Sequence, residues 1–413
     1  MSDTRAPFTL HHALIALLCC LILAISNGLT ISNMTVIRAS MSAEYGWTAQ
    51  QMGLADLITF LSLGVFAPFV GILIDRFGTR TLLIIGGLVL ALSYAAYSKV
   101  TTLGQVYGVH LLFAVVLALC GLVPVVALVS RWFTAKRATA IGFALVGTSL
   151  GGVILPKLTV PLVAEHGWRG VFLIEASFGL LLSVLVFLLV RSAPAERGVR
   201  AYGDEGLAAR DASDLPGLDF TNALGSVTFW CLCIGAAMTF FAMLGTLLHA
   251  FKFMSDLGFA PPQAVSGIGV MLTAALIGKF GFGLLADLLR PKTVYLLNTV
   301  LMGAGAALLA RANPGSVFIA WAVFGLGWGG LYTMLQLMCV QCFGLRSAGK
   351  IMGAVAIADC EGGGFGSFVM GAVRTHTGSY QNGFWLMAAL IAVAFVAATQ
   401  VRQVYQGAGA ARI

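Results

Sequence analysis

The sequence predicts an all-α membrane protein: twelve transmembrane helices in two six-helix halves related by a parallel repeat. Three observations predict it. First, 59% of the 413 residues are hydrophobic and only 10% are charged, where a soluble domain carries roughly 25% charged residues. A water-soluble fold has too little interior to hide that much apolar surface. Second, the apolar residues fall into twelve runs, each about long enough to cross a hydrocarbon core that takes roughly 20 residues of helix. Third, short stretches of the first six runs recur a little over 210 positions later in the last six.

The runs cover roughly 12–36, 49–74, 81–98, 104–130, 138–163, 168–191, 225–251, 262–286, 293–311, 315–341, 350–373 and 379–402. Helices are the only open-chain structure that satisfies its own backbone in lipid. The first run begins near Ala13 without a small-residue cleavage site and reads as a retained span rather than a signal peptide. The one long polar connection, residues 192–224 with Pro194 and Pro216, divides the runs six and six. It reads as a cytoplasmic linker between an N-terminal half, residues 1–191, and a C-terminal half, residues 225–413.

The net charge of +8 does not point to nucleic acid, because the basic residues sit in short loops and form no stripe or tail. With the N-terminus inside, 16 of the 24 Lys and Arg fall in inside loops and six in outside loops, with Lys157 and Lys279 left within spans. The positive-inside rule then places both termini in the cytoplasm; the expected membrane is a bacterial-type inner membrane.

The eight cysteines lie almost entirely in apolar runs, as packing residues. Cys339 and Cys342 match a redox spacing but close a hydrophobic helix, without the βαβ context that such chemistry uses. Gly325-Leu-Gly327-Trp328-Gly329-Gly330 fits a dinucleotide-binding pattern, but no strand precedes it and it lies mid-span, where close helix packing explains it better. The sequence holds no nucleophile–base set, metal spacing or phosphate loop, so an enzyme, a metal and a cofactor are not expected.

The repeat is visible in particular residues. Gly71-Ile-Leu-Ile-Asp75 ends span 2 and Gly283-Leu-Leu-Ala-Asp287 ends span 8, displaced by 212. Phe133, Gly142, Gly151 and Gly152 around span 5 correspond to Phe343, Gly353, Gly362 and Gly363 around span 11, displaced by 210 or 211. A duplicated six-helix unit in one orientation is a parallel-repeat transporter pattern.

The loop Gly71-Ile-Leu-Ile-Asp75-Arg76-Phe77-Gly78-Thr79-Arg80 resembles the signature loop of the major facilitator superfamily, lying between spans 2 and 3 as that family's loop does. The resemblance implies the major facilitator fold, with Asp75, Arg76, Arg80 and the repeat-related Asp287 as a conformational gate. There Asp75 would accept hydrogen bonds from helix N-termini and the arginines would hold the inward ends together. Within the superfamily the chain is most similar to the monocarboxylate transporter and oxalate/formate antiporter group. The likeness rests on Tyr45-Gly46-Trp47, Arg131-Trp132-Phe133 with Lys136-Arg137, Gly167-Trp168-Arg169 and Thr377-Gly378-Ser379-Tyr380. Span 1 reads Ser26-Asn27-Gly28-Leu29-Thr30, where animal monocarboxylate carriers have an Asp-Gly-Gly-Trp-type signature.

A charge at the bilayer centre costs about 2.5–3.5 kcal/mol on insertion scales, so Lys279, Asp359 and Glu361 must line water, pair or act. Lys279 lies eight residues before Asp287, and Asp359 nine residues after Lys350. At 1.5 Å per residue these depths are about 12 and 13.5 Å, and Glu361 is about 16 Å deep. All three approach the midplane, where transporter sites lie. Asp359 and Glu361 point to nearly opposite helix faces. The antiporter resemblance implies that Lys279 and Asp359 occupy positions where that family holds a dicarboxylate with two basic residues. One positive charge is retained and one reversed, which favours a substrate with one carboxylate. The alternative is a structural Lys279–Asp359 ion pair.

His249 near the outer end of span 7 reads equally as a gate or relay and as an interfacial residue with a wet tip. Asn27 and Asn33 in span 1 and Tyr332 and Gln336 in span 10 are candidate neutral substrate contacts. Asp56, Lys157 and Glu175 read as structural. Gly362-Gly363-Gly364 could let span 11 flex. The expected function is secondary transport of a small organic anion, proton-coupled through Asp359 or Glu361, by a monomer in the lipid bilayer. Anion exchange of the oxalate/formate type, export of drugs or cations, and a non-transporting membrane sensor are the competing expectations.

Overall fold

The computed structural model describes residues 6–204, 217–344 and 346–405. The side chains of Pro68, Ala138, Asp287 and Tyr332 lie outside the described residues, as does the central part of the linker. Span 1 is α1 (Leu10–Asn27), a π-helical segment (Gly28–Asn33) and α2 (Met34–Tyr45). Span 2 is α3 (Ala49–Phe77) and span 3 is α4 (Thr79–Tyr97). Span 4 is α5 (Leu103–Cys120) and α6 (Leu122–Trp132), interrupted at Gly121. Spans 5 and 6 run together as α7 (Arg137–Leu189).

After the short α8 (Phe220–Leu224), span 7 is α9 (Val227–Leu247) and α10 (Ala250–Asp256). Then come α11 (Pro261–Leu288), α12 (Pro291–Ala310), α13 (Val317–Phe343), α14 (Ala348–Thr377) and α15 (Gln381–Gln400). Among the described residues, ten segments are long and apolar enough to cross a membrane. One of them, Thr139–Leu189, holds two spans, and α14 is the missing twelfth because its carboxylates and glycines lower its apolarity.

The helix ends follow local chemistry. Pro261 and Pro291 open α11 and α12, where a missing N–H costs nothing. Thr102 caps α5 by accepting from the Gln105 N–H, while the Gln105 side chain reaches back to the Thr102 N–H. Ser226 caps α9 by accepting from the Phe229 N–H at 3.2 Å. Spans 5 and 6 are divided at Gly167, whose φ of 66° and ψ of 166° suit a residue without a Cβ. The sequence reading set a turn there; the chain makes it with this one residue.

The chain forms two compact units. One comprises residues 1–41 and 65–209, the other residues 42–64 and 210–413. The second unit therefore includes the first half of α3, which the repeat boundary places in the N-terminal half. Small residues explain it. A Cβ on Gly53 would lie 2.7 Å from the Ser367 carbonyl oxygen, and one on Gly371 would lie 2.3 Å from the Ala49 oxygen. The α3 and α14 backbones approach as closely as glycine permits.

The repeat is expressed in packing within each unit. In the first, Gly147 and Gly151 of α7 seat on α1, where an added Cβ would be 2.0 Å from the Cys20 and Ala24 carbonyl oxygens. In the second, Gly362 and Gly366 of α14 seat on α9 in the same way, 2.2 and 2.0 Å from the Ala237 and Phe241 oxygens. Gly151 and Gly362 are the repeat-related pair. The Gly-Gly-Gly run is thus part of a continuous helix, with Gly362 on Ala237, Gly363 on Leu244 and Gly364 on Leu57 and Phe60. Its glycines serve close packing in this conformation. The dinucleotide-like motif likewise resolves into packing, with Gly325 and Gly329 on Met271 and Ala275 of α11 and Gly327 on Met302 of α12.

The described ends of the linker are docked at repeat-related places. The Tyr202 N–H donates to the Trp132 carbonyl at 2.9 Å, and the Leu218 N–H donates to the Phe343 carbonyl at 2.8 Å. The described cysteines are all free thiols.

Candidate functional site

In the second unit, Lys279 sits half-buried on α11, deep in its span. Its carbonyl faces the Thr333 hydroxyl of α13 at 3.5 Å. Gln336, three residues further along α13, is half-buried. Tyr332 is on the same helix, but its side chain lies outside the described residues.

Asp359 points elsewhere. Its carboxyl lies within electrostatic range of Cys233 of α9, Tyr295 of α12 and Cys339 of α13. It makes no ion pair among the described residues, and its buried Oδ1 accepts no hydrogen bond. The Lys279–Asp359 ion pair weighed from the sequence is therefore not formed. Helical periodicity accounts for the direction: Asp359 shares the face of α14 that carries Gly362, Gly363 and Gly366 onto α9. Glu361 lies on a different face, exposed alongside Phe365.

His249 is 5% exposed at the junction of α9 and α10. Its Nε2 is 2.9 Å from the Ser367 carbonyl and its Nδ1 is 3.2 Å from the Tyr380 hydroxyl. A carbonyl only accepts, so Nε2 carries a proton. The Ser367 hydroxyl donates to Asp56 Oδ2 on α3. A buried polar chain thus links α3, α14, α9 and α15, and the wet-tip reading of His249 does not hold in this conformation. Further along, a cavity of about 320 Å³ is lined by residues including Asp256, Arg374, Tyr380 and Gln381. Its charges are already engaged: Arg374 Nε is 2.9 Å from Asp256, which also pairs with Lys252 at 2.8 Å.

In the first unit, Asn27 is half-buried beside Ser26. Asn33 is fully buried, and its amide donates to Glu175 Oε1 at 2.7 Å, so in this conformation it is turned into the helix bundle rather than toward a solute. Thr159 donates to the same oxygen at 2.7 Å. The sequence reading missed this cluster. One signal was present: Glu175 lies eight residues after Gly167 and Thr159 seven before His166, so two helices leaving one turn carry them to the same depth.

Of the gate residues, Asp75 and Arg76 are exposed, and Asp75 accepts no hydrogen bond among the described residues. The helix-capping role expected of it is not played here, because the last turn of α3 leaves its side chain in the open. Arg80 does tie elements together: its guanidinium donates to the Phe187 carbonyl at the end of α7 and stacks over the Phe187 ring, while its N–H donates to Ser192 Oγ. The Asp287 side chain lies outside the described residues.

The arrangement in the second unit is an intramembrane ammonium on α11, a carboxyl on α14 without a counter-ion among the described residues, and neutral hydrogen-bonding groups on α13. That inventory suits recognition of an anion and handling of a proton.

Comparison with known proteins agrees. The chain is similar to monocarboxylate transporter 13 of Bos taurus, 27% identical over 362 residues covering 86% of this chain and 78% of that protein. It is similar to monocarboxylate transporter 2 of Rattus norvegicus, 22% identical over 358 residues covering 81% and 71%. It is also similar to the agnestins efflux protein of Paecilomyces divaricatus, 27% identical over 314 residues covering 73% and 67%. Among solved structures it matches a bacterial homolog of the human lysosomal transporter Spinster, inward-facing and unoccupied, with a TM-score of 0.76, 17% identity, and 97% and 99% of the two chains covered. It matches a D-xylose-proton symporter with a TM-score of 0.75, 14% identity, and 95% and 98% covered. At these identities the structural likeness is one of fold. Residues 18–367 match the family profile described as Major Facilitator Superfamily, and residues 231–407 match it again. The second match falls on the C-terminal repeat. The chain, a multi-pass membrane transporter and not an enzyme, belongs to the Major Facilitator Superfamily.

Proposed function

We propose that this protein is a proton-coupled symporter of a small organic anion, with one carboxylate held by Lys279. The observation that carries the reading is the place of Lys279, an ammonium-bearing side chain half-buried deep within α11. A cation so placed costs about 2.5–3.5 kcal/mol to insert, and an anionic substrate makes use of its charge. The monocarboxylate transporters among the relatives support the substrate class. The D-xylose-proton symporter among the fold neighbours supports a fold able to couple solute to proton movement.

Asp359 is the proton carrier of the second unit in this reading. Its carboxyl has no counter-ion among the described residues, and a proton removes the cost of a bare buried charge. Asn27, Gln336 and Tyr332 are the neutral contacts that orient the rest of the solute, while Asn33 fixes span 1, which carries Asn27, and His249 ties α9 and α10 to α14 and the start of α15. Glu361 is the second-ranked proton carrier. Asp75, Arg76, Arg80 and Asp287 act at the gate as the two repeats rock between states. The working unit is a monomer in a bacterial-type inner membrane with both termini in the cytoplasm.

The test is uptake of labelled aliphatic and aromatic carboxylates into proteoliposomes, with and without an inside-alkaline gradient and with the potential clamped. Gradient-driven uptake of one acid, collapsed by a protonophore, is the expected result. Uptake only against a preloaded second anion means exchange, and uptake of cations alone sinks the anion reading. Asp359→Asn is expected to lower gradient-driven accumulation about tenfold per pH unit, the factor lost when one proton leaves the cycle. An unchanged dependence on the gradient removes Asp359 from coupling.

A further inference from the structure

We propose that Glu175 is a second proton-binding residue of the transport cycle, held in the first unit by Asn33 and Thr159. The inference deepens the proton-coupled reading above and rests on it for its role in transport.

Glu175 is 2% exposed in an apolar stretch, Val171-Phe-Leu-Ile-Glu175-Ala176. One oxygen, Oε1, accepts both the Asn33 amide and the Thr159 hydroxyl at 2.7 Å. The other, Oε2, is buried and accepts nothing among the described residues. No cation among the described residues pairs with it. From α4 comes the uncharged hydroxyl of Tyr94, which neighbours both Asn33 and Glu175. Arg38, five residues beyond Asn33 on α2, forms no ion pair with Glu175. On α7 itself, Lys157 is exposed and Arg169 lies over the Trp168 ring at 4.0 Å. The basic residue of α6, Arg131, is in its last turn at the far end of the span.

A carboxylate sealed in this way keeps its charge at a cost that a single proton on Oε2 removes. The step is a proton transfer: an O–H bond of a hydronium ion breaks as one forms at Oε2, water is released, and the negative charge of the carboxylate is cancelled. If the group served only to accept from Asn33 and Thr159, a neutral amide would do the same. The carboxyl adds the capacity to take and release a proton.

The seat also has a moving part. Asn33 is the last residue of the π-helical segment Gly28–Asn33, and single π turns often mark functional positions. Relaxing that turn to α geometry displaces the register by one residue, about 100° of rotation. Asn33 would then leave Oε1, and the seat would open as span 1 changes shape.

The experiment uses the full chain in liposomes. Infrared difference spectra between alkaline and acidic buffer are expected to contain a protonated-carboxyl carbonyl band, shifted by deuterium exchange, that is missing in Glu175→Gln. Thr159→Val, which removes one donor to Oε1, is expected to move the pH at which that band appears, and serves as the second variant should the first fold poorly. Identical spectra in wild type and Glu175→Gln overturn the proposal. In transport, the ratio of gradient-driven uptake to counterflow is expected to fall about tenfold per pH unit in Glu175→Gln; an unchanged ratio limits Glu175 to structure and overturns its place in the cycle. A band that depends on Glu175, in a wild type whose uptake ignores the gradient, overturns symport while sustaining the proton site.

Discussion

Replacing Lys279 by alanine is expected to abolish uptake of the substrate anion while the protein remains folded in the membrane. The magnitude follows from what the ammonium supplies. A hydrogen bond to a charged group contributes about 1.5–3 kcal/mol, and each 1.4 kcal/mol is tenfold. Apparent affinity should therefore fall about 10- to 100-fold, which at low substrate concentration reads as lost transport. The stability side is the discriminating part. Removing a charge from mid-span relieves an insertion cost of about 2.5–3.5 kcal/mol. Asp359 is not left behind as an orphaned partner, since it is not paired with Lys279. Lost uptake with unchanged or raised thermal stability marks Lys279 as a binding group. Lost uptake together with a lower melting temperature marks it as structural, and uptake equal to wild type ends the substrate role. Lys279→Arg keeps the charge but presents a rigid fork in place of a compact ammonium, so partial activity is expected.

The fold was legible because lipid leaves few choices. Eleven of the twelve runs became helices within about five residues of their expected ends, the first running nine residues further, to Tyr45, and the repeat showed in glycines whose spacing proved to be contact spacing. The site was legible only along each helix. Rise per residue placed Lys279, Asp359 and Glu361 near one depth, and period 3.6 set Asp359 and Glu361 on opposing faces. Which face met α9 depended on the packing of Gly362 and Gly366 against Ala237 and Phe241, which is a property of two helices and not of one. The same limit hid Glu175. Its partners are 142 and 16 positions away, and a lone acid among apolar residues has no visible seat until those helices are placed. His249 posed the opposite difficulty. Its position near a span end matched an interfacial residue, but α14 and α15 bring Ser367 and Tyr380 to both ring nitrogens.

Repeat-related glycines should fail and survive in pairs. Gly151→Val and Gly362→Val are each expected to prevent a stable fold. A Cβ on Gly151 would sit 2.0 Å from the Ala24 carbonyl oxygen, and one on Gly362 would sit 2.2 Å from the Ala237 oxygen. The obstacle in both cases is backbone of the partner helix, which no rotamer change can clear. Overpacking that side chains can absorb costs about 1–3 kcal/mol. Here the α1–α7 or α9–α14 pair must separate along its length, a loss comparable with the roughly 5–15 kcal/mol of a typical fold. Gly142→Ala and Gly353→Ala, the pair about two and a half turns earlier, meet nothing within 4 Å. Each should gain about 0.5–1 kcal/mol from the better helix propensity of alanine. Thermal unfolding of the four purified variants, read alongside their size-exclusion profiles, checks the pattern. If Gly151→Val unfolds and Gly362→Val does not, the two repeats are not held by the same contact. If both fold as wild type does, the close approach of these helices is not a support of the structure.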